Sequence, residues 1–113
     1  MVFSHRVEDG ICVVNIEGNI ALDGVNEAKA YLKPHLEDGN LKAMVINFSK
    51  VNFIDSSGIG LIVSVFKTLQ QKNVKFALCA LQKKNEEIFV ITRLNKILDI
   101  YDSEEACMAA LKG

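Results

Sequence analysis

The sequence predicts an α/β domain in which helices pack against a mixed β-sheet, with elements in the order ββαβαβαβα. Three observations carry that reading. Two β-rich runs at the start are joined by Asp9-Gly10, the dipeptide of a tight hairpin turn. Strand-like and helix-like segments then alternate to the end of the chain, which calls for parallel strands with helical crossovers. The segment Ala43 to Phe48 is nearly all apolar, as a strand covered on both faces must be. With 113 residues there is room for one core and little more, so residues 1–113 read as one domain.

The elements follow in order. Phe3 to Glu8 and Ile11 to Glu17 are the hairpin strands, and Gly18 is expected to close the second. Asp23 is placed to cap a helix from about Gly24 to Glu37, whose apolar face is Val25, Ala28, Leu32 and Leu36. Pro34 should kink that helix or end its regular part. After the Ala43–Phe48 strand and a second apolar touch at Val51 to Ile54, residues Ile59 to Gln71 read as a helix apolar almost all round, hence central and mostly buried. Lys75 to Ala80 and Ile97 to Tyr101 are further strands, with a helix at Asn85 to Leu94 between them. Asp102-Ser103-Glu104-Glu105 offers an Asp-x-x-Glu capping box for a last helix over Ser103 to Leu111.

Composition excludes several function classes. Half the residues are apolar and 24% are charged, which is globular rather than disordered. Thirteen Lys and Arg stand against fourteen Asp and Glu, so no basic excess points to nucleic acid. The longest mainly apolar run, Leu61 to Phe66, is far short of the ~20 residues of a membrane span. The N-terminus lacks a secretory pattern, and the expected location is the cytoplasm. Cys12, Cys79 and Cys107 form no Cys-x-x-Cys and read as small buried hydrophobes in a reducing compartment. His5 and His35 are the only histidines and neither sits in a motif, so no metal site, cofactor or catalytic relay is expected.

One segment stands apart, the strand-to-helix turn Ile54-Asp55-Ser56-Ser57-Gly58-Ile59-Gly60. Unpaired N–H groups and the helix dipole favour an anion there by roughly 0.3–1 kcal/mol, or ~2 when partly buried. Gly58 and Gly60 in the first turn cost about 1 kcal/mol each relative to Ala, so they serve either close packing or steric room for a neighbour. A plainer reading needs only a cap from Asp55 or Ser56 and glycines that let the helix pack closely. No Gly-x-x-x-x-Gly-Lys phosphate loop and no Gly-x-Ser-x-Gly elbow is present. Ser64-Val65-Phe66-Lys67 fits Ser-x-x-Lys in a mid-helix position without partner motifs. A receiver domain of the response-regulator kind fits poorly, because Glu8-Asp9 falls in the hairpin turn.

Val45-Ile46-Asn47-Phe48 followed by Val51-Asn52-Phe53-Ile54-Asp55-Ser56-Ser57-Gly58-Ile59-Gly60 resembles the central signature of STAS domains. Gly18-Asn19-Ile20, Leu94-Asn95-Lys96-Ile97-Leu98 and Ser103-Glu104-Glu105-Ala106 are similar to further parts of that family. The resemblance implies a stand-alone bacterial anti-sigma factor antagonist, not an enzyme. It implies phosphorylation of Ser56, in an environment set by Asp55, Ser57 and Gly58, by a partner that is both anti-sigma factor and serine kinase. It further implies a phosphatase that resets the switch. The implied partner surface comprises Ile20, Ala21, Leu22, Asp23 and Gly24 together with Ile59 and Gly60. The chain is expected to be monomeric alone, without nucleic acid or direct membrane insertion. Ala21 stands where the family often has Asp. The alternative is a non-phosphorylated STAS subunit or scaffold of a membrane lipid-transport ABC system.

Overall fold

A computed structural model describes residues 1–113. Strands β1 (Val2–Glu8) and β2 (Ile11–Ile20) form the hairpin, and helix α1 (Asp23–Leu36) crosses to β3 (Ala43–Ile54). Then come α2 (Ser56–Gln71), β4 (Lys75–Cys79), α3 (Lys83–Ile91), a 3₁₀ turn at Leu94–Lys96, β5 (Asp99–Tyr101) and α4 (Glu104–Lys112). The five strands lie in the sheet in chain order; β1 is antiparallel to β2 and every other neighbouring pair is parallel. The expected class and element order hold.

Alternation along the strands divides the core into two layers. Cys12, Val14, Met44, Ile46, Phe76 and Leu78 face one way, into a large cluster with Ala28 and Leu32 of α1, Leu61, Ile62, Val65 and Leu69 of α2, and Phe89 of α3. Ile11, Val13, Ala43, Val45, Ala77 and Cys79 face the other way, where Cys107 and Met108 of α4 cover them. The near-continuous apolar run in β3 is therefore needed on both faces. All three cysteines are free and buried, as expected of small apolar fillers.

Several boundaries differ from expectation for identifiable reasons. Gly18 does not close β2; with φ +128° it lies at an irregularity in the β2–β3 pairing, and the strand continues to Ile20. β3 likewise runs unbroken through Ser49 and Lys50, which lie in the register shift opposite Asn15 and Glu17. Helix α2 starts at Ser56 and is amphipathic, with Gly60, Ser64, Lys67, Gln70 and Gln71 exposed along one side. Pro34 is exposed two residues before the end of α1, so the helix closes soon after it. The helix expected over Asn85 to Leu94 starts earlier and breaks at Ile91, with Arg93 in the left-handed region at φ 63°. For α4 the cap is Ser103 rather than Asp102: its Oγ accepts from the Ala106 N–H at 3.1 Å.

The two histidines, unrelated in sequence, meet where β1 packs on α1. Their ring centroids are 4.3 Å apart, Tyr31 Oη lies 2.5 Å from His5 Nδ1, and Phe3 stacks on Tyr31. No group of three or more His, Cys, Asp or Glu side chains is arranged to hold a metal ion.

Candidate functional site

The parallel strands β2 and β3 end side by side, with Ile20 paired to Ile54, and both chains turn directly into helices. Asp55 remains extended (φ −100°, ψ −174°) and caps α2: its Oδ1 accepts from the Gly58 N–H at 2.9 Å and from the Ser57 hydroxyl at 2.6 Å. These bonds, with support from the backbone N–H groups of Leu22 and Ser57, hold the Asp55 carboxyl below its usual range, so it is charged at neutral pH. The cap expected of Asp55 or Ser56 is thus Asp55.

The two serines separate by role. Ser57 spends its hydroxyl on Asp55, whereas Ser56, the first residue of α2, is exposed and its hydroxyl has no such partner. Gly58 answers the packing question for its position. A Cβ there would lie 2.1 Å from the Ile20 carbonyl oxygen and 2.6 Å from Ile54, so the absent side chain lets α2 abut the end of β2. The Asp55 N–H also donates to the Ile20 carbonyl, at 3.4 Å. Gly60 differs, because nothing lies within 4 Å of the place its Cβ would occupy.

The expected partner surface divides in the same way. Ile20 is fully buried, so its side chain cannot meet a partner; what it gives the site is its carbonyl. Ile59 is half-buried and packs on the core. Asp23 does not cap α1. The helix begins at Asp23 itself, and the residue before it, Leu22, has no side chain able to cap. The Ala21 carbonyl accepts from the Gly24 N–H at 2.9 Å, closing a tight turn. Gly24 is required there, since a Cβ would fall 2.3 Å from the Asn19 carbonyl oxygen. Leu22 projects from this turn with 83% of its surface exposed. Phe53, two residues before the cap, is about half exposed and was not singled out by sequence. Its place after the irregularity in β3 removes the simple alternation that would have marked it.

The arrangement is an exposed hydroxyl at a helix N-terminus beside a fixed carboxylate, with an exposed leucine on the adjoining turn. The family model of the STAS domain matches residues 3–107. The chain belongs to the STAS domain family. This STAS domain is 24% identical over 108 residues to the anti-sigma F factor antagonist of Paenibacillus polymyxa, covering 96% of this chain and 90% of that one. It is 26% identical over 98 residues to the anti-sigma-B factor antagonist of Staphylococcus aureus, with 87% and 90% covered. It also shares its fold with the Bacillus cell fate determinant SpoIIAA in the phosphorylated form: the TM-score is 0.76 at 20% identity, over 97% of this chain and 99% of that one. No helix of this STAS domain is long and apolar enough to cross a membrane.

Proposed function

We propose that this STAS domain is an anti-sigma factor antagonist that binds an anti-sigma factor with serine kinase activity and is released when Ser56 is phosphorylated. The observation that carries the reading is the division of labour between the serines: Asp55 holds the Ser57 hydroxyl, and Ser56 alone offers a free, exposed one. The names of the curated relatives support the antagonist role, and the phosphorylated SpoIIAA structure supports a phosphate on this fold.

The chemistry of the switch is local. A phosphate on Ser56 adds about −1.5 to −2 charges. The helix N-terminus accommodates them in the free domain. A partner covering the turn must instead bury that charge next to ionised Asp55, and an unpaired buried charge costs several kcal/mol in an interface. A phosphatase then restores the binding form. The protein acts as substrate and ligand in this cycle, and no residue of its own is assigned a catalytic role.

The test uses wild-type and Ser56→Asp baits on lysate of the source organism, followed by affinity measurement with the purified anti-sigma factor and labelling with ATP. Ser56→Asp is expected to weaken binding about tenfold or more with Tm nearly unchanged. Labelling is expected to survive Ser57→Ala and to vanish in Ser56→Ala. Equal capture of a transporter ATPase on both baits, without an anti-sigma factor, would overturn the reading in favour of a lipid-transport subunit.

A further inference from the structure

The backbone of Leu22 is strained for a residue that carries a Cβ. Its φ of 51° and ψ of −126° place it at the first central position of a type II′ turn, the position that favours glycine because a Cβ is strained there. The turn is closed by the Ala21–Gly24 hydrogen bond, and the next bond, from the Val25 N–H to the Leu22 carbonyl at 3.1 Å, leads straight into α1. A leucine in such a conformation is normally compensated by burial. Here the side chain is 83% exposed, so the fold bears the backbone strain and gains almost no apolar burial for it. A glycine would serve the isolated domain better.

The same turn is tied rigidly to the phosphorylation site. The Ile20 carbonyl receives the Asp55 N–H and closes against Gly58, and the Ala21–Gly24 turn follows Ile20 directly. Leu22 and Ser56 are therefore carried by one unit that joins the starts of α1 and α2. Exposed Asp23 and ionised Asp55 give that unit a negative flank.

We infer that Leu22 is an affinity-determining anchor of the partner interface, inserting into an apolar pocket on the anti-sigma factor next to the surface that covers Ser56. The inference rests on the antagonist reading above and deepens it. The strained turn holds the side chain out from the surface before binding, so little ordering remains when the partner closes over it. Burying a leucine fully on the partner is worth at least a tenfold change in affinity.

Two variants separate side chain from backbone. Leu22→Ala keeps the strained φ and removes the anchor; its Tm should match wild type while affinity for the purified anti-sigma factor falls about tenfold or more. Leu22→Gly also relieves the strain, so it should bind equally weakly and melt a few degrees higher. Normal binding by Leu22→Ala overturns the anchor and leaves the antagonist reading standing. An unchanged or lower Tm in Leu22→Gly overturns the strain on which the inference depends. Failure of the wild-type domain to bind an anti-sigma factor overturns both.

Discussion

Gly58 and Gly60 look equivalent in the motif, and the structure gives them opposite physical characters. Gly58 is buried and its missing Cβ is the space taken by the Ile20 carbonyl. Gly58→Ala must push backbone against backbone, with an expected loss of about 1–3 kcal/mol or more on denaturant unfolding. At Gly60 a methyl meets no protein atom, and alanine is the better helix former, so Gly60→Ala should stabilise the fold by up to ~1 kcal/mol. Gly60 also lies one turn from Ser56 on the exposed side of α2. If it is a partner contact, as the family resemblance implies, the stabilised variant should bind the anti-sigma factor more weakly. What the sequence concealed at this level is backbone conformation. Asp23 has the right chemistry for a cap, yet the chain enters the helix at Asp23, and cap position is decided by φ and ψ rather than residue type. The cap of α2 was legible to within one residue: the sequence offered Asp55 or Ser56, and the extended backbone of Asp55 decides between them.

Whole elements were most legible where periodicity was long and unbroken. The apolar face of α1 is the clearest case: Ala28 and Leu32 are buried, and Val25 and Leu36 pack on the same cluster. Where the β2–β3 ladder shifts register, period two fails, and the sequence suggested a strand end at Gly18 and a break at Ser49 that the structure does not contain. The contact between β1 and α1 was not legible, because His5 and His35 lie far apart in the chain and share no motif. That contact has a pH consequence. Burial and the facing His5 ring depress the His35 pKa below its ordinary 6.5, against a smaller opposing pull from Asp38, while Cys12 Sγ lies 3.9 Å from its Nδ1 and Tyr31 packs beside it. A base with a lowered folded pKa binds fewer protons folded than unfolded. Its destabilising effect is therefore absent well above pH 6.5 and grows as pH falls below that value. His35→Gln removes this sensitivity, so the Tm difference between variant and wild type should move in the variant's favour from pH 7.5 to about pH 5.5. A difference that stays constant across that range would show that His35 does not titrate differently on folding.

The two-layer architecture separates what holds the domain together from what its surface presents. The site lies at the ends of β2 and β3, built from the starts of α1 and α2, and both helices pack on the large cluster. Helix α4 packs on the opposite face of the sheet, chiefly through Cys107 and Met108. Met108 is only 7% exposed, so Met108→Ala should cost about 2–5 kcal/mol through lost contacts and the space left behind. No hydrogen bond of the capped Asp55–Gly58 turn or of the Ala21–Gly24 turn goes to a back-layer residue; their bonds run between β2, β3 and the first turns of the helices. A loss confined to the back layer lowers the population of folded domain without altering the geometry of the folded fraction. At a temperature well below the variant's own Tm, affinity for the anti-sigma factor should therefore equal that of wild type, with the stability change visible only on denaturation. Calorimetric titration beside a denaturant melt makes the comparison directly. An affinity that falls along with stability would mean that the sheet transmits back-layer packing to the turn, and that the surface around Ser56 and Leu22 is not set by its local bonds alone.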